Sequence, residues 1–209
     1  MVFPSLYPII DSSVPADRII PLAEALAGAG VRLIQLRLKS ASASAIHAQT
    51  RALLAALAPG GARLIVNDRP DIAAITKAGG VHVGQDDLPV EAARQICGHP
   101  QWVGVSTHTL DQLREADRTS ADYIAVGPIF PTASKSNPDP VVGVEFVRAA
   151  RQLTRKPLVA IGGITADRAE EVYRAGADSL AVISDLMKAG DPAARVREFA
   201  AAFDRARRK

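Results

Sequence analysis

The stretch VRLIQLRLK at residues 31–39 has the pattern of a β-strand, and similar strand patterns recur along the whole chain. Successive side chains of a β-strand point to opposite faces, so Gln35, Arg37 and Lys39 share one face and the aliphatic residues between them share the other. An amide and two cations at the end of an apolar strand are typical of a site that captures a polyanion. The alternative is an edge strand with one solvated face, and these residues alone leave both interpretations open.

Short β-rich runs like this one alternate with longer, Ala-rich amphipathic runs along the chain. The predicted strands are 6–10, 31–36, 63–67, 81–83, 102–106, 123–127, 158–162 and 179–183. The predicted helices are 17–29, 42–58, 70–78, 89–97, 109–119, 144–154, 166–175 and 192–207. The strands are largely apolar on both faces, which is typical of strands covered by helices.

Strict alternation of strand and helix predicts parallel strands joined by right-handed crossovers. Eight such units predict an α/β fold in which residues 1–209 form one domain, a single compact (β/α)8 TIM barrel. The alternative is an open, doubly wound sheet. The number of units favours the barrel, as does the lack of a Gly-x-Gly-x-x-Gly turn after the first strand.

Composition narrows the classes of protein to which the chain can belong. Hydrophobic residues make up 48%, which is typical of a globular protein, and the apolar runs are too short to span a membrane. The N-terminus lacks a secretory signal and the one cysteine has no partner for a disulfide, so we expect a cytoplasmic protein. A net charge of +3 and 4% aromatic residues do not favour nucleic acid as a partner. We expect small molecules as partners, and the oligomeric state stays open, a homo-oligomer included.

Polar side chains and glycines follow the predicted strands, at the end of the barrel where active sites of this fold lie. In strand order from the second, they are Gln35, Arg37 and Lys39; Asn67, Asp68 and Arg69; Gly84, Gln85, Asp86 and Asp87; Ser106, Thr107 and His108; Thr132, Ser134 and Lys135; Gly162, Gly163, Ile164 and Thr165; Ile183, Ser184 and Asp185. Their common placement predicts a binding site on this rim. The long, Pro-rich segment 127–143 predicts a lid or binding loop, whose conformation stays open.

The carboxylates on the rim allow a metal site. Asp68 and one of Asp86 or Asp87 follow neighbouring strands, beside the cations of the second strand. Magnesium typically takes one or two carboxylates together with substrate phosphates, so a magnesium–diphosphate site is chemically coherent. The alternative is that Asp68 and Asp87 cap the helices expected to begin at Pro70 and Pro89.

A second anion site is predicted after the last two strands. The stretch IGGIT at 161–165 is expected to lie at a helix N-terminus, where free backbone N–H groups bind phosphate. Ile183 and Ser184 begin another short helical segment, and phosphate binding after strands seven and eight recurs in this fold. The alternative for Gly162 and Gly163 is close packing of strand against helix.

Three titratable residues stay without an assigned role. His82 falls within the fourth strand, and we expect it to be packed. His108 follows Ser106 on the rim and suits an acid–base role or a structural one. Asp11 follows the first strand, and its role stays open.

The segments YPIID, QLRLK, VNDRPDIA, GVHVGQDDL, GVSTH, YIAVGPIFPTASK, AIGGI and GADSLAVIS occur in this order. In order and spacing they resemble the thiamine-phosphate synthase family over nearly the whole chain. Each segment alone is modest, but the ordered set is highly specific. The resemblance implies a transferase of thiamine biosynthesis. Such an enzyme joins hydroxymethylpyrimidine diphosphate to a thiazole phosphate, forming thiamine phosphate and releasing pyrophosphate.

The resemblance also implies roles for individual residues. The residues that engage the pyrimidine diphosphate would be Gln35, Leu36, Arg37, Leu38, Lys39, Asn67, Ser106 and Lys135. Those that bind the thiazole phosphate would be Thr132, Ala133, Ser134, Gly163, Ile183 and Ser184. Asp68 and Asp87 would hold one Mg²⁺ ion, and Arg37, Lys39 and Lys135 would be catalytic. The implied mechanism is dissociative, so that diphosphate leaves before the thiazole nitrogen attacks.

One departure from the family pattern falls in the long loop. The chain reads Thr-Ala-Ser-Lys where the family often has Thr-x-Thr-Lys, and Ser134 keeps the hydroxyl. Two rival functions are an isomerase resembling the thiazole tautomerases and a non-catalytic sensor of phosphate ligands. Neither needs a diphosphate and magnesium set, so the residues favour the synthase. The kinetic order and the acceptance of a carboxylated thiazole stay open.

Overall fold

The computed structural model describes residues 3–132 and 140–208, and within them eight parallel strands close into a barrel. The strands are Leu6–Asp11 (β1), Leu33–Arg37 (β2), Arg63–Asn67 (β3), Gly80–Val83 (β4), Trp102–Thr107 (β5), Tyr123–Val126 (β6), Leu158–Ile161 (β7) and Ser179–Val182 (β8). Each strand pairs with the next in sequence, and β8 pairs with β1. The predicted barrel is therefore confirmed, and the open sheet is wrong.

Helices cover the barrel in alternation with the strands. They are Ala16–Gly28 (α1), Ala43–Leu57 (α2), Pro70–Thr76 (α3), Val90–Cys97 (α4), Leu110–Asp117 (α5), Gly143–Leu153 (α6), Ala169–Arg174 (α7), Ser184–Met187 (α8) and Pro192–Arg207 (α9). Side chains of Ser42, Thr109 and Asp191 cap α2, α5 and α9 by accepting a hydrogen bond from a backbone N–H of the first turn. Among the described residues, no helix has the length and apolar character needed to cross a membrane.

The apolar side chains form two cores, one on each face of the strands. Ile34 and Leu36 belong to the outer core between strands and helices. The inner core fills the barrel and consists of Tyr7, Ile9, Leu33, Ile65, Tyr123, Ala125, Val159 and Ala181. Alternation along β2 therefore turns Leu33 and Gln35 into the barrel, as the sequence pattern predicted.

Aromatic rings close the N-terminal end of the barrel. The ring of Phe3 stacks on that of Trp102 with a centroid distance of 5.3 Å and contacts that of Tyr123 at the same distance. Gly104 in β5 makes room for Tyr123, because a Cβ atom there would lie 2.0 Å from the Cζ atom of the tyrosine. With this end filled, the space left in the barrel opens at the C-terminal ends of the strands.

Candidate active site

A cavity of about 760 Å³ opens at the C-terminal end of the barrel, and residues of all eight strands line it. The site residues expected from the sequence that line this cavity are Gln35, Arg37, Lys39, Asn67, Asp68, Asp87, Ser106, Thr132, Gly163, Ile183 and Ser184. The barrel thus gathers on one cavity residues that are up to 149 positions apart in sequence, since Gln35 and Ser184 both line it. Asp86 and His108 line it as well.

Several expected site residues lie elsewhere. The side chains of Leu36 and Leu38 pack in the outer core, and neither residue lines the cavity. Ala133, Ser134 and Lys135 lie outside the described residues, in the middle of the segment 127–143. Asp11 is buried, and its Oδ1 atom accepts hydrogen bonds from the backbone N and the Oγ atom of Ser13.

Opposite charges meet on the wall formed by the ends of β2, β3 and β4. The Nζ atom of Lys39 lies 3.0 Å from the Oδ2 atom of Asp68, whose side chain is 20% exposed. Burial raises the pKa of the Asp68 carboxyl, while Lys39 opposes this rise and the neighbouring Asp87 carboxylate adds to it. Asp87 is held in place because its Oδ2 atom accepts a hydrogen bond of 2.7 Å from the backbone N–H of Gly84.

The two carboxylates do not cap helices. The N-cap of α3 is Arg69 and that of α4 is Pro89, and neither makes a side-chain capping bond. The capping alternative for Asp68 and Asp87 is therefore wrong. Within residues 3–132 and 140–208, no three or more His, Cys, Asp or Glu side chains are placed to hold a metal ion. A pair of carboxylates suits an ion that takes its other ligands from substrate phosphates and water, as Mg²⁺ does.

A chain of hydrogen bonds crosses the floor of the cavity. The Nε2 atom of Gln35 donates to the Oη atom of Tyr7 at 2.8 Å, and that oxygen lies 2.9 Å from the Oη atom of Tyr123. The Nδ1 atom of His82 lies 3.0 Å from the same Tyr123 oxygen, and its Nε2 atom lies 2.9 Å from the Oγ atom of Ser106. His82 is buried as expected, yet it lines the cavity, and so does Tyr7, which the sequence did not single out.

The other side of the cavity is built by the ends of β6, β7 and β8. Gly162 and Gly163 have φ values of +103° and +61°, and a Cβ atom on Gly163 would lie 2.4 Å from the carbonyl oxygen of Pro131. The two glycines thus pack closely against residues 128–131 of the loop after β6, and not against a helix as the alternative predicted. Their expected place at a helix N-terminus is wrong, because α7 begins only at Ala169. The short helix α8 does begin at Ser184, as predicted.

His108 ties the rim to the start of the long segment after β6. Its Nδ1 atom lies 2.7 Å from the carbonyl oxygen of Gly127, which only accepts, so this nitrogen carries a hydrogen. The backbone N–H of His108 donates to the Oε1 atom of Gln112. These contacts fix the position of His108 between the end of β5 and the start of the segment after β6.

A (β/α)8 barrel that brings lysine, arginine and paired carboxylates together around such a cavity defines an enzyme that acts on phosphorylated small molecules. The family model described as thiamine monophosphate synthase matches residues 6–186. A thiamine-phosphate synthase of Koribacter versatilis is 49% identical over 201 residues, covering 94% of each chain. One of Methanospirillum hungatei is 41% identical and covers 93% of this chain and 95% of its own.

A solved structure agrees with the sequence relatives. The thiamine phosphate pyrophosphorylase of Pyrococcus furiosus superposes with a TM-score of 0.86 and 31% identity, covering 98% of this chain and 97% of its own. The chain belongs to the thiamine-phosphate synthase family. It is accordingly a transferase of thiamine biosynthesis, and its product is thiamine phosphate.

Proposed function

We propose that the cavity condenses hydroxymethylpyrimidine diphosphate with a thiazole phosphate by a dissociative, magnesium-assisted route. The observation that carries the proposal is the contact of Lys39 with Asp68 beside Asp87 on one wall of the cavity. Cations suit the phosphate oxygens of the first substrate, and the carboxylates suit a metal bound to the same oxygens. A thiazole tautomerase would have no use for this wall, and we do not propose that activity.

The wall formed by β2, β3 and β4 receives the diphosphate in this proposal. Arg37 and Lys39 hold its oxygens while the bond from the pyrimidine methylene carbon to the diphosphate oxygen breaks and its electron pair leaves with the diphosphate. The family resemblance assigns Lys135 to the same substrate, and this residue lies outside the described residues. Asp68 and Asp87 hold one Mg²⁺ ion, which when bound neutralises part of the negative charge that develops on the leaving group.

The thiazole phosphate binds on the opposite side, where Gly163, Ile183 and Ser184 line the cavity. Strand order places the ends of β7 and β8 across the barrel from β3 and β4. Two anions therefore bind on separate walls, and their organic rings meet over the floor. The thiazole nitrogen then donates its lone pair to the methylene carbon of the pyrimidine cation, and the new carbon–nitrogen bond completes the product.

The lining between the two walls protects this cation. Ile9, Val159, Ile161 and Ala181 contribute apolar side chains to the cavity. Water that reached the cation would convert it to an alcohol, so this apolar lining lowers the rate of the loss.

A pyrophosphate-release assay with purified protein and both substrates tests the proposal. We expect pyrophosphate and thiamine phosphate in equal amounts with Mg²⁺, and loss of both after the metal is removed with a chelator. The matched control omits the thiazole phosphate, which leaves only slow hydrolysis of the diphosphate. No pyrophosphate with both substrates and Mg²⁺ would contradict the proposed reaction, and full activity with chelator would contradict the role of the metal.

A further inference from the structure

The hydrogen-bonded chain on the cavity floor links residues of five different strands. It runs from Gln35 on β2 through Tyr7 on β1, Tyr123 on β6 and His82 on β4 to Ser106 on β5. Its two end residues line the cavity, whereas Tyr123 is fully buried and does not. Tyr123 packs edge-on against Tyr7 and stacks on His82, with centroid distances of 5.8 and 5.5 Å. The chain is thus held in place by packing as well as by hydrogen bonds.

Each link of this chain has only one hydrogen to give. Burial raises the pKa of Tyr7 and of Tyr123 well above the usual value of a phenol, so both keep their hydroxyl hydrogen. A neutral imidazole likewise has one N–H group and one bare nitrogen. The direction of one hydrogen bond therefore sets the direction of the next, all along the chain.

The amide of Gln35 sets this direction. Its Nε2 atom donates to Tyr7, so the Tyr7 hydroxyl must give its own hydrogen to Tyr123. With a neutral His82 ring, this direction makes Tyr123 the donor to the Nδ1 atom of His82 and the Nε2–H group of His82 the donor to Ser106. This leaves the hydroxyl hydrogen of Ser106 for a ligand. Among residues 3–132 and 140–208, none donates to the Oε1 atom of Gln35, so this acceptor is left for a ligand as well.

We propose that Tyr7, Tyr123 and His82 are positioning residues that couple the orientation of Gln35 to that of Ser106. The cavity thereby presents an acceptor at one end of the chain and a donor at the other. Reversing the amide of Gln35 would reverse every hydrogen bond of the chain, so that Gln35 would present a donor to the ligand and Ser106 an acceptor. A ligand ring that places an amino group against Gln35 fits the observed direction, and a ring with an oxo group there does not. The choice of an aminopyrimidine as this ligand rests on the proposed function, whereas the coupling is a property of the protein alone.

Nitrogen NMR of the His82 ring in the ligand-free protein tests the coupling directly. We expect the neutral tautomer with hydrogen on Nε2 and a bare Nδ1, with the signal assigned by loss in His82→Gln. Tyr123→Phe removes the donor to Nδ1, so the tautomer ratio should shift measurably. Tyr173→Phe is the matched control, because Tyr173 is another buried tyrosine whose hydroxyl donates to the backbone of Ser5, outside the chain. A tautomer with hydrogen on Nδ1, or a cationic ring at neutral pH, would overturn the proposal.

Ligand preference gives the second test. Calorimetry compares the dissociation constants of the aminopyrimidine diphosphate and its oxo analogue, with Mg²⁺ and without the thiazole phosphate. One mismatched buried hydrogen bond corresponds to about a tenfold preference for the amino compound. We expect Tyr123→Phe to reduce this ratio to about threefold or less and Tyr173→Phe to keep it.

The ratio separates positioning from a merely structural role. If Tyr123→Phe weakens the binding of both ligands equally and keeps the ratio of their dissociation constants, the hydrogen-bonded chain only supports the fold and the proposal is refuted. If the wild-type protein binds neither diphosphate, the proposed function fails, and the NMR result still decides whether the coupling exists.

Discussion

Replacing Gly163 by alanine tests how the β7 end supports the thiazole side of the cavity. The chain offers a matched control in Gly61, because the two glycines have almost the same φ values, +61° and +63°. A Cβ atom on Gly61 meets nothing within 4 Å. On Gly163 it would lie 2.4 Å from the carbonyl oxygen of Pro131 and 2.8 Å from the Cβ atom of Phe130.

The magnitude follows from these contacts. In both variants the new alanine must adopt a left-handed backbone conformation, which destabilises the protein by about 1–2 kcal/mol. Gly163→Ala also overpacks a well-filled site, which lowers the free energy of unfolding by about 1–3 kcal/mol more. Relief requires the backbone at Phe130 and Pro131 to move, and Thr132 on the cavity wall follows directly. We therefore expect the KM for the thiazole phosphate to rise by about tenfold or more, as for loss of one good hydrogen bond to a charged group.

Urea unfolding followed by circular dichroism measures the stability of both variants, and steady-state kinetics with each substrate varied in turn measures function. The KM for the pyrimidine diphosphate should change much less, because its wall lies across the barrel. Equal loss of stability in Gly163→Ala and Gly61→Ala would refute the packing argument. An equal rise of both KM values in Gly163→Ala would refute the assignment of separate walls.

Three further predictions concern the other wall and the floor. Asp87→Ala should abolish Mg²⁺-dependent pyrophosphate release while the circular dichroism spectrum stays native, and normal turnover at limiting Mg²⁺ would contradict this. Lys39→Met should lower kcat by about a hundredfold, as for loss of one charge-stabilising group. Because the Lys39 side chain is 51% exposed, its free energy of unfolding should change by under about 1 kcal/mol, which urea titration checks. Gly104→Ala should destabilise by at least about 2 kcal/mol, because the new Cβ atom would lie 2.0 Å from the Tyr123 ring. Gly28→Ala, where a Cβ atom meets nothing within 4 Å, should not destabilise, and equal unfolding midpoints of the two would count against the packing of the floor.

Much of the fold could be predicted because the residue patterns that indicate it are local in sequence. The strand 63–67 was predicted with its observed bounds, and the faces of Ile34 and Gln35 follow from the alternation of a single strand. Parallel strand ends meet at one rim, so Lys39 and Asp68 were expected together, and they are 3.0 Å apart.

The errors and omissions all depend on neighbours distant in sequence. Gly162 and Gly163 were expected at a helix N-terminus, but they pack against residues 128–131 of another strand's loop. Nothing near Tyr7 in sequence indicates its contact with Tyr123, which is 116 residues away. A pattern with a period of a few residues contains no information about such a contact.

The sequence by itself determined the alternation of strands and helices, the face that Gln35, Arg37 and Lys39 share, and the family to which the ordered motifs point. These properties follow from local periodicity and residue type, which can be recognised in the sequence without knowledge of tertiary contacts. Only the tertiary structure decided that Asp68 pairs with Lys39 instead of capping a helix, and that His82 joins Tyr123 to Ser106. Closure of the barrel sets these partners, because a hydrogen bond requires two atoms within about 3 Å and only closure brings such remote atoms so close.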